Sequence, residues 1–272
     1  MHLFDYVAPQ SLEEAVRLLE QAEGQAMPIA GGTDLIPQIK KGTKQPSLVV
    51  DIKRIPEVHR LEFAPEEGLH LGAAVPCAAI VRHPQVLALY PSLHKACSQI
   101  GSRQIRSRAS VGGNICNAAP SADSIPPLLV HEATVQVLGA GGTRQIPLEE
   151  LFLGPGQTSL GPSELLAEIG VPVPPAHSSS QYIRFSLREE MDIALVGVAA
   201  LLALEPGTGR CLEARIALGA VAPTPIRARQ AETLLQGQKL VDGLLDRAAE
   251  LAAQASSPIT DIRASAEYRR EL

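Results

Sequence analysis

Apolar residues Leu12, Ala15, Val16 and Leu19 recur at helical spacing after Ser11, and Ser11 with Glu14 three positions on forms a capping box. The pattern predicts an amphipathic first helix. An apolar run at 26–30 predicts a strand; Gly31-Gly32 follows, then Thr33-Asp34, a polar pair able to start a helix running through Ile39. Leu48-Val49-Val50-Asp51 reads as a second strand, so residues 1–55 are expected to form a small α/β unit with parallel pairing.

The strand-then-helix pattern repeats at 69–73 and 76–82, where Pro76 suits a first helical turn. A further helix is expected over 92–100. Residues 101–127 show no hydrophobic period and are rich in Gly, Ser, Asn and Pro, which predicts one long loop of the kind that is usually functional or disordered. Residues 134–138 and 144–146, around Gly141-Gly142, read as a hairpin, and 165–171 as another strand. The stretch 172–180 has the composition of a linker, and the pattern changes after it. Strands at 182–187, 193–204 and 211–219 precede helices starting near Pro225 and Leu240, which predicts a three-stranded sheet with helices on one face.

Composition narrows the class. With 45% hydrophobic and 19% charged residues the chain has a core to bury and too little charge for disorder. A formal net charge of -5, with basic residues scattered and densest at Arg103, Arg106 and Arg108, lacks the basic face that nucleic acid requires. The longest uncharged apolar run, 193–204, falls short of the roughly 20 residues of a membrane span. Neither a basic nor an apolar signal region opens the chain, so a cytoplasmic location is expected. Cys77, Cys97, Cys116 and Cys211 lie far apart without metal-ligand spacing, and are expected to be small buried residues in a reducing compartment. No metal site is predicted. Trp is absent and aromatics are 3%, so any planar ligand would be held by backbone groups and aliphatic side chains.

Two segments carry candidate chemistry. In Pro28-Ile29-Ala30-Gly31-Gly32-Thr33-Asp34-Leu35 the paired glycines let backbone N–H groups approach a diphosphate closely, although Gly-Gly also serves packing in many turns. Asp34 would repel an anion unless its side chain turned to cap the helix. The spacing is not GxGxxG, so no Rossmann site is implied. The second segment, 101–117, offers Ser110, paired glycines and the amides of Asn114 and Asn117, suited to phosphate, ribose or a flavin edge, or else to a polar surface. Asp123, in Pro120-Ser121-Ala122-Asp123, reads equally as an acceptor for sugar hydroxyls and as an N-cap for a helix near Ile125.

These blocks, with 158–166, 188–194 and the tail 261–269, resemble in order the FAD-binding subunit of the xanthine dehydrogenase and carbon monoxide dehydrogenase family of molybdenum hydroxylases. The resemblance implies an α/β plus α+β fold: a two-lobed PCMH-type FAD-binding domain at 1–175, with lobes 1–55 and 56–175, and a small C-terminal domain at 176–272. It implies FAD contacts at Pro28, Ile29, Ala30, Gly31, Gly32, Thr33, Asp34 and Leu35 on one side of the diphosphate. Opposite are Ala109, Ser110, Gly112, Gly113, Asn114 and Cys116, with Ile100 and Gly101 nearby. Asp123 matches a position that binds the adenosine portion, and Leu160 one that packs near a flavin or adenine ring.

No residue of this chain is implied as catalytic, and His59, His70, His83, His94, His131 and His177 read as surface or packing residues. Electrons would reach FAD from two-iron two-sulfur clusters in a small subunit, having left the substrate at a molybdenum cofactor in a large subunit. They would go on to NAD or another acceptor. Two departures bear on flavin potential and on reaction with NAD: Ile100 replaces an aromatic residue of some relatives, and Leu195 a lysine of animal xanthine dehydrogenases. Between Asn117 and Val135 there is no cysteine-rich insertion, so no extra cluster is expected. The alternatives are a stand-alone flavin oxidase or reductase of the related fold and a flavin-free scaffold module.

Overall fold

The computed structural model describes residues 3–272. Strands β1 (Asp5–Val7), β2 (Ala26–Ile29) and β3 (Leu48–Asp51) form a parallel sheet in the order β1-β3-β2. The helix Leu12–Gln21 starts as its sequence predicts: Ser11 Oγ accepts from the Glu14 N–H at 3.1 Å, and the Glu14 carboxylate accepts from Gln10 N–H at 2.8 Å. It buries Ala15, Val16 and Leu19 against Ala26, Val50 and Ile52. Pro28 sits on the edge strand β2, where a missing N–H costs no ladder bond. Because all three strands run the same way, their carboxyl ends open together, the usual place for a ligand in such sheets.

The second sheet is antiparallel throughout, in the order β4-β5-β10-β6-β7. Its strands are β4 (Leu61–Ala64), β5 (Gly68–Gly72), β6 (Thr134–Gly139) and β7 (Gly142–Pro147), then, after a small hairpin of β8 (Phe152–Gly154) and β9 (Gln157–Thr158), β10 (Leu165–Val171). Leu69, Leu71, Val135, Val137 and Ile169 of this sheet share a core with Ile80, Leu93, Ile115, Ile125 and Leu128 from the covering helices.

Residues 101–127 are not one long loop. They hold the helices Arg103–Arg106 and Val111–Asn117 and the start of Ile125–Val130. Each is too short to display a hydrophobic period, and local caps hold the first two: Ser102 Oγ accepts from Ile105 N–H and Ser110 Oγ from Gly113 N–H. The third is buried on every side.

The C-terminal sheet comprises β11 (Ser178–Phe185), β12 (Val196–Leu204), β13 (Cys211–Gly219) and β14 (Ile226–Arg227), paired antiparallel in that order. It has four strands where the sequence predicts three. Pro225 does not open a helix: Ile226 pairs with Leu218 and Arg227 with Ala217, while the Arg227 guanidinium is held by Glu232 and the Leu129 carbonyl. The helix begins at Arg229. Strand β11 also starts inside the linker-like stretch, because Ser180 is buried against Ser92 and His131. Tyr182, Ala199, Leu201 and Ala217 belong to the same core as the second sheet, so the C-terminal part is packed onto it rather than tethered. Among the described residues no helix is long and apolar enough to cross a membrane, and no group of His, Cys, Asp and Glu could hold a metal ion.

Candidate functional site

Beyond the carboxyl end of β2 the chain meets the turn leading into the helix Val111–Asn117, and the contact is backbone on backbone. A Cβ on Gly31 would stand 2.0 Å from the Arg108 carbonyl oxygen and 3.0 Å from Ala109 Cα, so only glycine allows this approach. Gln38 Nε2 donates to Asn117 Oδ1 at 3.0 Å, tying the helix after the first glycine pair to the helix that contains the second. A cavity of about 590 Å³ opens along this junction.

Residues 28–35, Ile100, Gly101, Ala109, Ser110, Gly113, Asn114, Cys116 and Asp123 all line that cavity. Gly112 and Leu160 do not. Gly112 faces the second sheet, where a Cβ would lie 2.4 Å from the Ala73 carbonyl, and Leu160 packs against the core there. Met27, Gln38, Lys44 and Ile105 are also among the lining residues, with Met191, Asp192 and Ile193 from the loop between β11 and β12. That loop lies far along the chain from either glycine pair, and no local pattern marks it as part of the site. Its membership in the 188–194 block was the only hint.

Among the described residues, the N–H groups of 31–35 find no protein acceptor, whereas the carbonyls of Gly32 and Asp34 already accept from Ile36 and Gln38. A run of unfilled amide donors on a concave wall suits an anion. Asp34 stands at the N-cap position without a side-chain cap bond, so it is not turned into the helix. Enclosure by the cavity walls raises its carboxyl pKa, although the side chain stays in contact with solvent.

On the opposite wall Ser110 is buried, and its oxygen caps Gly113 N–H at 3.1 Å. Asn114 Oδ1 accepts from Ser124 Oγ at 2.6 Å, which fixes the amide and leaves its NH2 free for the cavity. Asp123 lines the cavity but is not an N-cap, and each of its carboxylate oxygens already has one donor. Its carboxylate accepts from Tyr182 OH at 2.7 Å and from Arg184 Nη1 at 2.9 Å, and the N-cap of the next helix is Ser124. Cys116 is exposed at the cavity rather than buried, because it faces outward on a short helix; Cys77, Cys97 and Cys211 are buried.

Residues 2–174 match the family described as the FAD binding domain in molybdopterin dehydrogenase, and 181–272 the CO dehydrogenase flavoprotein C-terminal domain. The xanthine dehydrogenase FAD-binding subunit of Escherichia coli O157:H7 is 34% identical over 99% of this chain and 93% of its own length. The carbon monoxide dehydrogenase medium chain of Hydrogenophaga pseudoflava is 33% identical over 99% of this chain and 92% of its own. Among solved structures, carbon monoxide dehydrogenase from Hydrogenophaga pseudoflava superposes with a TM-score of 0.94 at 33% identity, covering 98% of this chain and 92% of that one. Quinoline 2-oxidoreductase from Pseudomonas putida 86 gives 0.91 at 30% identity, covering 99% and 92%.

Proposed function

The chain belongs to the family of FAD-binding subunits of molybdopterin dehydrogenases, and on that footing we propose that it is the electron-relay subunit of a multi-subunit hydroxylase. It is an oxidoreductase subunit, and its cofactor is FAD. In this reading a large subunit carries the molybdenum cofactor and oxidises the substrate, a small subunit carries two-iron two-sulfur clusters, and NAD or another acceptor takes the electrons away. Bound flavin supplies both one- and two-electron transfer, which is the chemistry such a junction needs.

The observation that carries the reading is the contact of Gly31 with Arg108 and Ala109, which sets both glycine segments on one cavity. The residues present fit FAD. The cavity falls within the ~300–1,000 Å³ usual for ligand sites, and its walls offer free amides and aliphatic side chains. Residues 31–35 would hold the diphosphate on one side and Ser110, Gly113 and Asn114 on the other. Asp123, fixed by Tyr182 and Arg184, would accept from the adenosine portion. Gly112 and Leu160 serve packing. No histidine lines the cavity among the described residues, so a stand-alone oxidase with histidine-linked flavin gains no support.

The two family matches, ending at 174 and resuming at 181, support a boundary near 175 between the FAD-binding and C-terminal parts. Four cysteines free of disulfides suit the cytoplasm. The test is to strip the full chain of flavin and titrate it with FAD, expecting saturable quenching of flavin fluorescence, and to ask whether molybdenum- and iron–sulfur-bearing chains co-purify with it. Absence of FAD uptake would defeat the reading, as would flavin that stays attached after acid precipitation. Bleaching of the bound flavin by NADH would identify NAD as the acceptor, and failure to bleach would point to another.

A further inference from the structure

We infer that Lys53 is a positioning residue for the diphosphate loop, fixing the Ala30–Gly31 peptide from outside the cavity so that the free amides of that loop stay gathered on its wall. This deepens the FAD reading above and rests on it. Lys53 lies in the turn Ile52–Arg54 that follows β3 and does not itself line the cavity. Its ammonium donates to the Ala30 carbonyl at 2.9 Å and to Asp51 Oδ1 at 2.7 Å.

Asp51 closes the arrangement. Its carboxylate is nearly buried and also accepts from the Lys53 backbone N–H at 3.0 Å and from the Tyr6 hydroxyl. The clamp therefore joins a residue of β1, the last residue of β3 and the first residue beyond β2, where Ile29 stands in register with Asp51. Burial tends to raise the Asp51 pKa, but the hydrogen bonds from Lys53 and Tyr6 outweigh it and keep the carboxyl below its ordinary value.

The Ala30 carbonyl and the Gly31 N–H share one rigid peptide plane, so holding the oxygen fixes the direction of the hydrogen. A charge-assisted bond holds it more firmly than a neutral one. Because Asp51 already meets the ammonium charge, Lys53 adds little net attraction for a phosphate. Its contribution is orientation, and removing it would let the first of the loop's free donors swing away.

The test uses the full chain freed of flavin, with FAD and with ADP, which carries the diphosphate without the flavin. Lys53→Met is expected to weaken both by about tenfold or more, to shift the 31P resonances of bound FAD, and to leave the near-ultraviolet circular dichroism of the protein unchanged. Lys53→Arg, which can still donate to the carbonyl, is expected to recover most of the affinity. Lys53→Met binding FAD and ADP as tightly as the parent, or Lys53→Arg faring no better than Lys53→Met, would overturn the inference. A parent chain that binds neither FAD nor ADP would overturn the site assignment itself, a separable failure.

Discussion

Arg184 on β11 places Nη1 2.9 Å from Oδ2 of Asp123, with the two side chains only 3% and 10% exposed. The pair spans the seam between the second sheet and the C-terminal sheet, and the Tyr182 hydroxyl occupies the other carboxylate oxygen. Asp123→Ala leaves a buried guanidinium without its counter-ion and is expected to cost about 3–5 kcal/mol, measured by urea denaturation. Combining Asp123→Leu with Arg184→Met is expected to restore most of that stability, because no buried charge then remains. A double variant as unstable as Asp123→Ala would show that the charge pair is not what sets the cost.

Neighbouring glycines in one helix are expected to fail differently. A Cβ on Gly113 meets only Ser110 Oγ, at 3.1 Å, whereas one on Gly112 collides with the Ala73 carbonyl and Cβ. Gly113→Leu should therefore fold but fill the cavity, lowering FAD affinity about a hundredfold or more. Gly112→Ala should lose about 1–3 kcal/mol of stability through overpacking and keep its affinity once folded. Thermal melting and FAD titration on the same samples separate the two; full flavin occupancy in Gly113→Leu would count against the assigned wall.

Asp34 brings a carboxylate to a wall otherwise built of amide donors. Its raised pKa means that the folded state holds the proton more firmly than the unfolded chain does, so this group favours folding at low pH and the benefit is lost as pH rises through the folded value. Solvent contact screens the effect. Asp34→Asn is expected to tighten FAD binding at neutral pH by about threefold to tenfold, and the advantage is expected to shrink on acidification, where the native carboxyl becomes neutral. A constant ratio of affinities across pH would show that the charge is not felt at the cofactor.

His131 is 2% exposed, bonded through Nε2 to Ser180 and Ser92, and its Nδ1 has no partner. Burial, reinforced by the nearby Arg215 charge, lowers its pKa from 6.5 to about 3. A depressed histidine contributes stability that is complete above the unfolded value and lost as pH falls toward the folded one. Unfolding free energy is thus expected to drop by roughly 1.4 kcal/mol per pH unit below 6.5 from this residue. His131→Gln, which keeps a hydrogen-bonding group for the serines, is expected to flatten the profile; an unchanged slope would assign the acid sensitivity elsewhere.

Where an element announces itself by a long enough pattern, the sequence was readable. The Ser11-capped helix, strands β2 and β3, and the first glycine turn lie where periodicity and turn residues put them. The short elements were not readable: β1 has three residues and β14 two, below any alternation, and the helices at 103–106 and 111–117 depend on caps from Ser102 and Ser110 rather than on an apolar stripe. Ser110 lines the cavity and also caps Gly113, a second role that its place three residues before Gly113 allows. Asp123 looked like a free acceptor because its partners, Tyr182 and Arg184, come from a strand about sixty residues away. The Lys53 bond to Ala30 has the same cause: parallel pairing of β2 and β3 creates the neighbourhood, and no local motif encodes it.

Because Met191, Asp192 and Ile193 share the cavity with residues 28–35, whatever fills it rivets the loop between β11 and β12 to the first glycine turn. Ligand bound only by the assembled seam stabilises that seam by mass action. A filled cavity is therefore expected to slow proteolytic cleavage in the 186–195 loop relative to the empty one.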